Sequence, residues 1–166
     1  MMVELSLEEL VDGADLIVRG HALGAGSLLV IDGDGALPHT RTFFEVLETL
    51  KGEHKSHLTI DEPGGEVQGR RALLPGTPEY RPGAQYIAFL KRLPQGFYRT
   101  YGMAQGQWEV QPSLEGVPYV VRDLRKIGIL PKGPANGQVQ SRGVERVPMN
   151  LFLLELRKCL DKRGGR

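Results

Sequence analysis

The chain has 166 residues, of which 40% are apolar and 25% charged, and its formal net charge is +1. This is the make-up of one globular domain that can bury its own core, and it gives no electrostatic reason to expect nucleic acid or an anionic membrane as partner. The single cysteine, Cys159, excludes an internal disulfide and a cysteine-rich zinc site, and no segment approaches the roughly 18 consecutive apolar residues of a membrane span.

The first element is a short helix over residues 6–12. Ser6-Leu7-Glu8-Glu9 has the form of a capping box, with Ser6 as N-cap and Glu9 at the third helical position. Leu5 can staple onto Leu10, and Gly13 is placed to stop the helix in the left-handed conformation. Residues 15–23 form an apolar, β-branched run and read as a strand. Gly24-Ala25-Gly26-Ser27 then reads as a glycine-rich connection. It fits no phosphate-loop spacing, and no helix follows it to supply backbone amides. Leu28 to Ile31 is a second strand, ending at the turn Asp32-Gly33-Asp34-Gly35.

Residues 40–50 read as a strand in which Thr42, Phe44 and Val46 share a face before Leu47 breaks the alternation. A β-bulge at Val46-Leu47 accounts for the slip, and a helix is the competing assignment. A short strand over 57–60 is followed by a loop over 61–69, an edge strand over 70–74 and a second loop over 75–83. Further strands follow at 85–90, 97–101, 107–111 and 118–121. Residues 125–148 carry glycine and proline without periodicity and read as an irregular arm. The chain closes with a helix whose stripe is Met149, Phe152, Leu153, Leu156 and Leu160, with Cys159 beside it as a structural thiol.

Many short strands between turns, a bulged long strand and two terminal helices define a mainly β chain closing as a small barrel. The expected division is residues 1–124 as the barrel with its N-terminal helix, and 125–166 as an arm and helix packing on it. The segments ADLIVRGHAL, TFFEVLETLKG, HLTIDEP, PGAQYIAFL and GFYRT occur in that order. This order resembles the netrin-like module, an OB-type barrel also found in tissue inhibitors of metalloproteinases. It is similar too to exported bacterial proteins with the same segment order. The resemblance covers residues 14–101 and implies an OB-like fold. It does not imply protease inhibition, because the N-terminal zinc-binding cysteine and the disulfides of those inhibitors have no counterpart here.

Chemistry-bearing groups are sparse. His54 and His57 stand three residues apart and are weak metal candidates, with Asp61 or Glu62 as a third ligand. No motif calls for a cofactor or specifies an enzyme. Tyr101 to Val110, with the only tryptophan, reads as a bend between two strands. Trp108 is expected in the core with its indole N–H partnered. If the stretch binds anything, Met103, Gln105, Gln107 and Trp108 form a barrel-rim contact for a protein partner. The leading expectation is therefore a non-catalytic interaction module. Its expected location is extracytoplasmic if a leader precedes Val3, and cytoplasmic otherwise. The alternative is a cytoplasmic OB protein binding single-stranded nucleic acid through groups such as Tyr86, Lys91, Arg99, Tyr101, Trp108 and the pair Arg70-Arg71.

Overall fold

The computed structural model describes residues 2–130 and 143–164. In chain order the elements are β1 (Met2–Val3), α1 (Leu7–Gly13), β2 (Leu16–Asp32), β3 (Gly35–Lys51), β4 (His57–Pro63), β5 (Gly65–Val67), β6 (Arg70–Ala72), β7 (Gln85–Arg92), β8 (Tyr98–Thr100), β9 (Gln107–Gln111), β10 (Tyr119–Asp123), β11 (Ile129–Leu130), β12 (Val144–Pro148) and α2 (Met149–Gly164). The fold is mainly β. One sheet runs β12-β10-β9-β7-β2-β3-β4-β8, and β1-β11 and β5-β6 form two small ladders. Because β8 pairs with β7 as well as β4, the pairings pass from β2 through β3, β4, β8 and β7 back to β2.

β2 and β3 are each 17 residues long and form one hairpin. Gly33 turns it at φ +59°, as the first central residue of a type II′ turn requires. Glu48 lies opposite Arg19 and Val46 opposite Gly20, so Leu47 is the extra residue of a bulge at the expected place. Gly20 is needed there, because a Cβ would sit 2.1 Å from the Glu45 carbonyl oxygen.

Several expected loops are strands. Gly24-Ala25-Gly26-Ser27 is not a connection but the middle of β2, paired with Phe43, Thr42, Arg41 and Thr40. The ladder outweighs the poor strand preference of glycine and alanine. β4 runs on through Asp61, Glu62 and Pro63, opposite Arg41, Thr40 and His39, and β5 takes part of the remaining loop. The arm read over 125–148 is also corrected. Its described residues include β11, paired with β1, and β12, paired along its full length with β10. Burial of Leu124, Ile127 and Ile129 in one small cluster draws the first part of the arm onto the body. The rest of the arm, residues 131–142, lies outside the described residues.

Two cores result. Leu16, Val18, Phe44, Ile60, Tyr86 and Leu90 fill the space inside the ring of pairings. Ile17, Ile87, Phe89, Trp108 and Val120 leave the opposite face and pack on Leu10 and Val11 of α1 and Phe152 and Leu156 of α2. Consecutive residues of β7 thus feed different cores. That explains its unbroken apolar run, since a strand covered on both faces has no polar side to show.

The capping box is present. Ser6 Oγ accepts from the Glu9 amide at 3.1 Å, and the Glu9 carboxylate accepts from the Ser6 amide at 3.1 Å. Gly13 does not adopt the left-handed conformation; α1 ends at Ala14, which is extended. Glycine is required instead by close approach, since a Cβ would lie 2.2 Å from the Tyr101 ring. The free carbonyls of the last turn are met by Lys51, whose Nζ donates to Val11 O at 2.7 Å and Ala14 O at 2.5 Å. On α2 the expected stripe faces the second core, with Phe152 and Leu156 buried and Met149, Leu153 and Leu160 partly so. Cys159 is half-buried beside them, and burial pushes its thiol up.

Candidate binding cleft

β4 places two neighbouring carboxylates on opposite faces of the sheet. Leu58, Ile60 and Glu62 share the inner face, so Glu62 enters the ring interior beyond Ile60. Asp61 turns to the outer face, among Arg41, Arg99 and His39. Arg41 Nε donates to its Oδ2 at 2.9 Å, and Arg99 Nη2 and His39 Nδ1 donate to its Oδ1 at 2.9 and 2.7 Å. Arg99 Nε also donates to the Asp61 carbonyl at 3.1 Å, tying β8 to β4. Burial works to raise the Asp61 pKa, but the bonds from Arg41, His39 and Arg99 outweigh it and hold the carboxyl below its ordinary range. The Arg41 guanidinium lies 4.2 Å from the centre of the Phe97 ring.

Glu62 has the opposite environment. It is 6% exposed. Burial pushes its pKa up to about 7, although bonds from the Thr100 hydroxyl and amide work against the rise. The Thr100 amide donates to Glu62 Oε1 at 2.8 Å, and the Thr100 hydroxyl lies 2.7 Å from the Tyr80 hydroxyl. With Glu62 ionised, the Thr100 hydroxyl is used as its donor, so Tyr80 donates to Thr100. Burial also holds the Tyr80 phenol well above its usual range.

This chain of hydroxyls opens into a cleft of about 230 Å³. Its walls are Thr40 and Thr42 of β3, Glu62 and Pro63 of β4, Ala72 of β6, and Leu73, Leu74 and Thr77–Tyr80 of the segment that follows. The β5-β6 hairpin arches over one side, and Gly64 and Gly65, at φ +117° and +123°, make the bend that brings it there. The lip is apolar: Leu73 is 71% exposed and Leu74 lies beside it, also exposed. Inside, Thr77 Oγ1 is buried and has no hydrogen-bond partner among the described residues. An apolar mouth, a few converging hydroxyls and one carboxyl with a displaced pKa together have the character of a recognition site.

The residues singled out in the sequence lie elsewhere. Gln105 is 1% exposed, and its side chain staples the N-terminal segment, accepting from the Leu5 amide at 2.9 Å and donating to Val3 O at 3.1 Å. Met103 is half-buried against the Leu124, Ile127 and Ile129 cluster. Gln107 Nε2 donates to Glu79 O at 2.8 Å. Trp108 is in the second core as expected, with its ring 4.7 Å from Phe152 and the Arg122 guanidinium 4.5 Å from its centre. Its indole N–H, expected to be partnered, has no partner among the described residues.

Trp108 and Tyr86 are buried and have no face to offer a base, and Arg99 is engaged by Asp61. His54 and His57 are exposed, and His54 Nδ1 lies 3.3 Å from Thr49 Oγ1. The structure does not gather them with Asp61 or Glu62, which are buried further along β4 in their own networks. Among the described residues no three His, Cys, Asp or Glu side chains are grouped to hold a metal ion, and no described helix is long and apolar enough to cross a membrane. The cleft is hidden in the sequence because the loop-like residues after Ile60 end the apparent strand there. Extending the alternation of Leu58 and Ile60 by one step places Glu62 indoors.

Compared with known proteins, the chain matches no family model and no curated protein.

Proposed function

We propose that the chain is a non-catalytic recognition module. Its ring of pairings is a small OB-type barrel of the netrin-like kind, and its cleft takes a side chain or short segment of a protein partner. The observation that supports this most is the pairing of an exposed leucine lip, Leu73-Leu74, with a floor of hydroxyls around a buried carboxyl. Exposed apolar groups rimming a concave site are what a partner desolvates, and buried polar groups set the orientation of what enters. The cleft's polar side chains are threonine and tyrosine hydroxyls and the carboxyls of Glu62 and Glu79, without an activated nucleophile among them. An extracytoplasmic setting belongs to the same reading and is tested by fractionating the cells that make the protein.

The test of the function is a photo-crosslinking amino acid placed at Leu73, with a control at Leu114. Leu114 is fully exposed in the turn between β9 and β10. A discrete protein adduct from position 73 in the producing cells, absent from position 114, is the expected result. Equal labelling from both positions, or none from either, overturns it.

A second reading rests on the outer face, where Phe43 is 58% exposed. An exposed aromatic ring on a barrel face is a group on which an unpaired base stacks. Anisotropy of a labelled oligonucleotide at low salt separates the two readings. Binding that weakens as salt rises favours this one.

A further inference from the structure

β2 outruns its neighbour on one side. Its pairing with β7 ends at His21 opposite Gln85, while its pairing with β3 continues to Asp32 opposite Gly35. Loop backbone covers one step more, where Ala22 exchanges bonds with Gly83 and Ala84. Beyond it, residues 23–31 have no strand partner on that side among the described residues. This edge reads Leu-Gly-Ala-Gly-Ser-Leu-Leu-Val-Ile. It has no charge, no proline and no inward-pointing lysine, the devices that ordinarily blunt an edge strand. Leu23 is 52% and Ile31 82% exposed.

We propose that this edge pairs antiparallel with the same edge of a second copy, in register about Ser27. The pattern of the segment is self-complementary. A two-fold axis normal to the sheet keeps each side chain on its own face, so only registers pairing residues of equal parity are allowed. With Ser27 opposite Ser27, Gly26 meets Leu28, Ala25 meets Leu29, Gly24 meets Val30 and Leu23 meets Ile31. Each glycine and the alanine fall opposite a large residue, and the two exposed apolar side chains cover each other.

The backbone parity agrees. A two-residue turn makes Asp32 and Gly35 a hydrogen-bonded pair, so alternate residues back along β2, including 31, 29, 27 and 25, turn their amides to the open edge. A partner of another sequence would need none of these matches, whereas a second copy uses all of them.

The test uses the full chain with Cys159→Ser. Sedimentation should show a dimer, and Ala25→Lys or Leu29→Lys should each give a monomer that keeps its circular dichroism spectrum. Under mild oxidation Ser27→Cys should link two copies readily, because residues facing across the axis lie within disulfide reach. Leu29→Cys should not, because its partner is Ala25 of the other copy. A monomer at all concentrations overturns the proposal, as does a dimer indifferent to both lysines or equal cross-linking from positions 27 and 29. A monomer whose edge amides are protected from exchange also overturns it.

Discussion

The Thr100 backbone amide donates to the Glu62 carboxylate at 2.8 Å, inside the barrel-like ring and at the floor of the cleft. This bond holds the buried acid in place and works against the rise of its pKa, which burial still carries to about 7. A folded-state pKa above the unfolded value means the native state holds a proton that the unfolded chain has released. Stability therefore falls as pH rises from about 4.5 through about 7, by on the order of 3 kcal/mol for this group. Glu62→Gln keeps an acceptor for Thr100 and removes the titration. Urea unfolding should show the variant to be the more stable protein at pH 8 and similar to wild type at pH 4.5. Equal pH slopes for the two proteins would contradict the assignment.

Asp61 behaves in the opposite sense. Its carboxyl is held below its ordinary pKa, so its contribution is present above the unfolded value and is lost as pH falls through the folded one. Asp61→Asn leaves Arg41 and Arg99 without their shared anion. It should cost about 1–3 kcal/mol at neutral pH, because both guanidiniums are partly open to solvent, and the loss should shrink in acid. Thermal unfolding across pH checks both parts.

Lys51 closes the C-terminal turn of α1 with two bonds to carbonyls of Val11 and Ala14. Burial, followed by the nearby Arg163, lowers its pKa. Lys51→Met keeps the aliphatic stem and removes both donors. A loss of about 1–2 kcal/mol, with faster amide exchange in α1 and little change in β7, is expected.

Gly13→Ala tests close packing where sequence reasoning expected conformational freedom. The added Cβ would press on the Tyr101 ring. Because alanine has the higher helix propensity, an unpacked site would be stabilised by the change. The structure requires a loss of about 1–3 kcal/mol, measured by denaturant unfolding.

Local signals were legible in the sequence. The Ser6 cap, the bulge at Leu47, the Asp32 to Gly35 turn and the α2 stripe each depend on residues close in the chain. What escaped depends on distant partners. Gly24 to Ser27 is extended because β3 lies beside it, and β12 is a strand because β10 accepts it. Asp61 and Glu62 have the composition of a loop. They sit in a strand because Arg41 and Arg99 satisfy one carboxylate and Thr100 the other. The cleft inherits that blindness, since its walls come from three separated segments.

The measurement that bears most directly on the recognition role is cross-linking from Leu73 with and without Ala72→Trp, which fills the cleft from its own wall while leaving the leucine lip in place. A partner that enters the cleft should give a discrete adduct with the wild-type wall and lose most of it with the filled one. An adduct of equal yield in both proteins would show that the partner touches the lip alone, and that the buried carboxyl and hydroxyls take no part in recognition.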